Sequence, residues 1–193
     1  MNRLVVGCGS VLLAILVAGV PAQAQKIPAP AIGFLDERLL LNESAAAKSI
    51  RPQIERLRKG LQREIRDRES ALRKAEQDLL GQRSILAADA FAKRRSQFEK
   101  RARKEQLEVQ TRKRAIDRAL AVAVNKIRIS FLKIAKDVAT ENKINIVMAK
   151  SAVLMSMNRL EITAETMKRL NKKLPKVTVK VENVKKKKRT KKN

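Results

Sequence analysis

Histidine, tryptophan and tyrosine are missing from this 193-residue chain, and its single cysteine is Cys8. Without histidine there is no imidazole for acid–base work and no Ser-His-Asp triad. Without His and with one Cys there is no soft-ligand metal site. The six glycines form no phosphate-cradling loop, which sets ATP chemistry aside. Lys, Asp, Glu and Ser remain as reactive groups, but no cluster of them recommends catalysis. The chain therefore reads as a non-enzyme with no cofactor and no metal. Acid is scarce as well: 19 Asp and Glu stand against 45 Lys and Arg, for a net charge of +26. Such a surface prefers acidic partners, whether nucleic acid, anionic lipid or acidic polypeptide.

Arg3 gives the N-terminus a positive start, and Leu4 to Val20 is apolar apart from glycines and Ser10. Pro21 then precedes Ala22-Gln23-Ala24, a small-x-small cleavage signature. Residues 1–24 are expected to be a secretory signal peptide, with the mature chain starting at Gln25 in the periplasm. Cys8 lies too early in the apolar run to be a lipid-attachment cysteine. Its loss with the signal leaves no disulfide, so stability has to come from packing or assembly. Nothing after Gln25 is long and apolar enough to span a bilayer. Export also argues against a nucleic-acid partner, and four Phe are too few aromatics to stack bases.

Residues 25–30 form a Pro-containing lead-in. Ala31 to Asp36 (AIGFLD) reads as a short strand with Ile32 and Phe34 on one face, followed by a short helix over Glu37 to Glu43. From Ala45 the helical signal dominates, with Pro52 near the start, where a helix tolerates it. Ile54, Leu57, Leu61, Ile65, Leu72, Ala75 and Leu79 recur at coiled-coil spacing. Gly81 and RSILAADAF interrupt the stripe, with Ser84 or Asp89 as candidate caps. It resumes with Phe91, Phe98 and Ala102, weakens at Arg103 to Gln106, and strengthens from Val109 to Val138. Two stripes around a break predict an antiparallel α-hairpin over 45–141, turning near 81–90. A continuous rod is the alternative, but it would carry the first strand far from the later apolar segments.

The hairpin returns AIGFLD to INIVM and AVLMSM, two segments read as strands joined by a turn at Ala149 to Ser151. A last helix is expected after Thr163 as N-cap, ending at Leu174-Pro175. The fold class is thus α+β, mostly α: a long coiled-coil hairpin arm on a small β-body spanning 31–44 and 142–175. Ile32, Phe34, Ile146, Met148, Val153 and Leu154 are the candidate residues of the body core or of an interface between copies. So small a core is marginal alone, which points to a homo-oligomer pooling its strands. Beyond it, KVTVKVENV alternates valines with polar residues, as a sheet edge does, and KKKKRTKKN is a like-charge block expected to be disordered.

The signal peptide, IGFLDERLLLNES, SILAADAFAKRRSQFEK at the hairpin turn and NKINIVMAKSAVLMSMNRLEITAETMKRLN together resemble the Skp/OmpH family of periplasmic chaperones. The resemblance covers about Ala31 to Pro175, and the strand–strand–ITAETM ending is its most specific part. It implies a homotrimer in which a small β-body carries three α-hairpin arms around a cavity. It also implies ATP-independent holding of unfolded outer-membrane β-barrel proteins. The basic tail after Val184 lies outside it.

Lys93, Arg94, Arg95, Arg101, Arg103 and Lys104 lie near the arm tip and on the returning arm, and are the candidate client-binding cations. The plain reading of the same residues is a solvated coiled-coil face. Phe91 and Phe98 fit hairpin packing better than client contact, and Met148, Met155 and Met157 fit core or interface packing better than an adaptable binding surface. The Lys-rich tail suits either an anionic lipid surface or a solubilising end. Two other functions share the composition: a basic structural protein tethering layers of the envelope, and a histone-like nucleic-acid binder.

Overall fold

The computed structural model describes residues 28–182. The signal peptide and the basic tail therefore lie outside the described residues. The chain runs β1 (Ile32–Leu35), α1 (Glu37–Glu43), α2 (Ala45–Gly81), α3 (Ala88–Glu141), β2 (Ile146–Ala149), two 3-10 turns (Lys150–Ala152 and Asn158–Leu160) and α4 (Thr163–Lys173).

Helices α2 and α3 form the hairpin. With 37 and 54 residues they extend about 55 and 80 Å at a rise of ~1.5 Å per residue. Ser44 opens α2, its hydroxyl accepting the Ala47 N–H at 3.2 Å. Pro52 lies inside α2 rather than in its first turn. Its ring leaves the Lys48 carbonyl without the usual intrahelical donor. The chain reverses over residues 82–87, where Gln82 and Arg83 donate back to Leu79 and Leu80. Neither Ser84 nor Asp89 caps α3. Ala87 holds that position without a side-chain bond, and Asp89 sits in the first turn, where its charge suits the helix dipole.

The hairpin is the crossover between two parallel strands. Because α2 leads away and α3 leads back, β2 re-enters beside β1 running the same way, pairing Ile32 with Ile146 and Phe34 with Met148. Lys143 makes the turn out of α3 in the left-handed region, at φ 56°. Asn145 ties the lead-in down: its amide accepts from Ala31 N–H and donates to Ala29 C=O, each at 2.8 Å. Gly33 permits the close fit, since a Cβ there would stand 2.8 Å from Ile144 Cδ1.

Two expectations for the body are corrected. AVLMSM forms no strand. After the 3-10 turn it runs out into solvent, and the other neighbour of β1 is an isolated bridge between Phe34 and Glu161. Thr163 does not cap α4, which has Ile162 at that position. The Thr163 hydroxyl instead accepts the Asp36 N–H at 2.9 Å, while the Asp36 carboxylate caps α1.

The core lies where α1, α4 and the sheet meet the root of the hairpin. Leu40, Ile127, Phe131, Ile134, Val138, Ile162 and Leu170 are buried there, joined by Ile50 and Ile54 of α2. Val177 completes it from the C-terminal side. Residues 176–182 form no sheet edge but lie extended along α2.

Candidate functional site

Between Ile54 on the outgoing helix and Ala115 on the returning one, no residue is buried. The arm is held by the narrow seam that the periodicity predicts: Leu57, Leu61, Ile65, Leu72, Ala75 and Leu79 are half-buried, facing a return stripe of half-buried Phe91, Phe98, Ala102 and Val109. A narrow seam leaves most of each helix surface to solvent, and that surface is rich in Lys and Arg.

One charged layer interrupts the seam. Arg68 occupies a stripe position, three residues after Ile65 and four before Leu72. Its guanidinium donates to Glu64 at 2.7 Å, to Glu108 at 2.9 Å and to Glu105. Arg112 adds a contact to Glu64 at 3.1 Å. The hydrogen bond from Arg68 holds the Glu108 carboxyl below its ordinary range, and the same bond pushes the Arg68 pKa upward. Arg68 therefore stays charged and ties the two helices together through Glu64, Glu105 and Glu108, a polar layer in place of apolar packing.

The six candidate cations are all exposed on α3. Arg94 donates to Gln82 across the hairpin turn at 2.7 Å, Arg95 pairs with Glu99 at 3.0 Å, and Lys104 stands 4.0 Å from Glu108. Lys93, Arg101 and Arg103 have no carboxylate partner among the described residues. This region thus presents cations that are free or weakly engaged.

The candidate body residues divide. Phe34 is buried inside the chain, whereas Ile32 and Met148 are partly exposed and Ile146 keeps 43% of its surface open. Val153 is half-buried and Leu154 is fully exposed, with Met155 and Met157 beside it. Only Phe34 is therefore core within one chain. The others are open to solvent: Ile32 on β1, Ile146 and Met148 on β2, which sits at the edge of the two-stranded sheet with all four residues exposed, and Leu154 past half-buried Val153 beyond the 3-10 turn. A hollow of about 470 Å³ lies beside β2, lined by Leu132, Ala135, Ile144, Val147 and Met148. The segment AVLMSM reads as a strand because its composition is apolar. Beyond half-buried Val153 it lies exposed, and nothing in the same chain packs over it.

Sequence reasoning passed over three groups that matter here. Arg68 was legible as a charge at a seam position. Ser49 and Gln53, which hold the C-terminal segment, carry no signal of their own. Arg169 bridges α4 to the end of α3, with both guanidinium NH2 groups 2.6 Å from the Glu141 carboxylate, and its hydrogen bonds hold the Glu141 pKa down. Among the described residues there is no metal-ligating cluster and no helix long and apolar enough to cross a membrane.

A small two-stranded body carrying one long α-hairpin defines the class of protein. Residues 31–170 match the family of OmpH-like outer membrane proteins, and the chain belongs to that family. Among solved structures it is similar to an OmpH-like protein of Caulobacter crescentus, described as a candidate outer membrane chaperone. The TM-score is 0.72 at 16% identity, covering 86% of this chain and 99% of the other. At that identity the likeness concerns the fold. No curated protein matches the sequence.

Proposed function

We propose that this protein is an ATP-independent holdase of the periplasm, which binds unfolded outer-membrane β-barrel proteins and keeps them soluble for delivery. The observation that carries the reading is the arm: a long hairpin with no buried residue beyond its root and an exposed basic surface on which some cations, such as Arg95 and Lys104, are loosely paired and others, such as Lys93, Arg101 and Arg103, have no carboxylate partner among the described residues. Such an arm can bend and splay at little cost, because few contacts resist it. Its cations draw in acidic chains and keep them hydrated. Each exposed ion pair is worth only about 0–1 kcal/mol, so many together retain a client without trapping it. Preference for the unfolded chain lowers its free concentration and slows aggregation by mass action.

The working unit in this proposal is a homotrimer. The open edge of β2 and the exposed apolar side chains of Ile32, Ile146, Met148, Leu154 and Met155 are the surfaces that copies would share. An unpaired strand edge invites pairing with another chain. Leu154 and its neighbours would fill the hollow beside β2 of the next copy. Three arms would then enclose a client.

The test is dilution of a urea-unfolded outer-membrane β-barrel protein into buffer with and without the purified mature protein, followed by light scattering and by the mass of the complex. Suppressed scattering with a defined complex supports the proposal. Unchanged scattering at several-fold excess of the protein overturns it.

A further inference from the structure

The segment from Lys176 to Glu182 lies outside the family match, yet it is held in an organised way. Val177 is 2% exposed, and Val179 and Val181 pack against the core, while Lys176, Thr178, Lys180 and Glu182 face solvent. The backbone is gripped by two side chains of α2. The Ser49 hydroxyl accepts from Val177 N–H at 3.0 Å. The Gln53 carboxamide donates to Val177 C=O at 2.7 Å and accepts from Val179 N–H at 3.0 Å. Bonding the carbonyl of one residue and the N–H two residues on is what one residue of a parallel neighbouring strand does. Gln53 thus stands in for a strand, on a helix. Past Gln53 the segment runs on to a cleft of about 1090 Å³ between the arm helices, lined by Val181 together with Leu57, Leu61, Leu107 and Ile116.

None of these contacts depends on which residues the segment carries, beyond a small apolar side chain at every second position. We propose that the track formed by Ser49, Gln53 and Leu57 is a binding site for extended polypeptide of alternating pattern, and that residues 176–182 are its resident occupant, exchanged for segments of an unfolded client. Transmembrane β-strands carry this alternation, apolar outward and polar inward. The class of occupant therefore rests on the function proposed above. A tethered occupant competes at an effective concentration of about millimolar. Weak stray peptides are excluded, and a client that presents many such strands at once is admitted.

The test uses the full mature chain with Val177→Asp and Val179→Asp, which expel the resident segment. The probe is a fluorescent KVTVKVE peptide, whose net positive charge removes attraction to a basic protein as a cause of binding. A peptide of the same composition with contiguous valines is the control. The expected result is binding at least tenfold tighter to the double variant than to the unaltered protein, lost on adding Gln53→Ala, and at least tenfold weaker for the control. Equal binding in all cases, or indifference to Gln53→Ala, overturns the proposal. If circular dichroism shows the double variant unfolded, the reading is taken on the unaltered protein. Excess peptide should then speed amide exchange at Val177 and Val179 about tenfold, and no change overturns the proposal. An unfolded β-barrel protein should displace the bound peptide. Binding without displacement removes the client from this site. Displacement without suppressed aggregation upholds the site and strikes the holding function alone.

Discussion

The root and the distal part of the same hairpin are built differently. Near the body, α3 buries Ile127, Phe131, Ile134 and Val138 in the core it shares with α1, α2 and α4. Beyond Ile54 and Ala115 the same two helices touch only along a half-buried seam. Full burial of a large apolar side chain contributes about 1.5–3 kcal/mol, so the root carries global stability and the arm is stable only locally. A rigid root holds the position of the arm while the arm itself yields. A long α-hairpin, then, need not be uniformly stiff: its stiffness follows how many other elements pack on it.

The sharpest way to break this comparison is to empty one position in each region. Phe131→Ala in the root should cost about 3–5 kcal/mol. Phe98→Ala on the half-buried seam should cost under about 1 kcal/mol, since far less area leaves water. Thermal unfolding followed by circular dichroism measures both, and equal losses would mean that the arm is as tightly built as the root.

Ile146→Asp separates folding from assembly. Because Ile146 is half-open within one chain, its charge should leave helix content unchanged. In a shared sheet it would be buried without a partner, at a cost of several kcal/mol. Sedimentation should show dissociated chains with intact circular dichroism, and an oligomer of unchanged mass would remove β2 from the interface. Excision of residues 69–104, with the helix ends rejoined by a short turn, makes the converse cut. Oligomer mass should persist and suppression of client aggregation should vanish. Full holding by the armless body would assign that activity to the body.

A smaller effect sharpens the role of charge. The screening length falls from about 8 Å at physiological salt to about 3 Å at 1 M. Capture of an acidic unfolded client, followed by stopped flow, should therefore slow several-fold as salt rises, with less change in release. Replacing Lys93, Arg94, Arg95 and Lys104 by Gln should reproduce part of that loss with the helix intact, since Gln, Lys and Arg have similar helix propensity. Capture rates that stay flat with salt would make the cations solubilising only.

The smallest expected effect is confined to mid-arm. Arg68 holds the Glu108 carboxyl below its ordinary range, and a carboxylate so depressed contributes stability above its unfolded pKa that is lost as pH falls through the folded one. Amide protection around Glu108, taken relative to the intrinsic exchange rate at each pH, should fall between neutral pH and a pH below the usual carboxylate range, while the root stays protected. Arg68→Ala should give fast exchange there already at neutral pH. Protection that is the same at both pH values in both proteins would show that the charged layer does not hold the arm.

The helices were legible because their signal is local. A run of Lys, Arg and Glu with apolar residues every third and fourth position can only satisfy its backbone and its seam as a paired helix, and Gly81 with the following polar residues places the reversal. The strand AIGFLD and its meeting with INIVM followed from the hairpin bringing the ends together. Three features were not legible, for different reasons. Val153 to Met157 has strand composition, but strands need a neighbour, and within this chain β1 is already flanked by β2 and Glu161. Thr163 looks like a helix cap, yet its hydroxyl goes to Asp36, a residue 127 positions away. Val177 to Val181 alternates as a sheet edge would, and Gln53 provides the strand-like partner from a helix.

By itself the sequence determined the charge, the helical period, the point of reversal and the residue types that are missing, because each depends on residue identity or on neighbours a few positions apart. The tertiary structure alone decided where burial stops along the arm, which apolar segments stay open on the body, and what grips the C-terminal segment. Those outcomes depend on surfaces that exist only once residues far apart in the chain have packed, and on competition among them for the same few places.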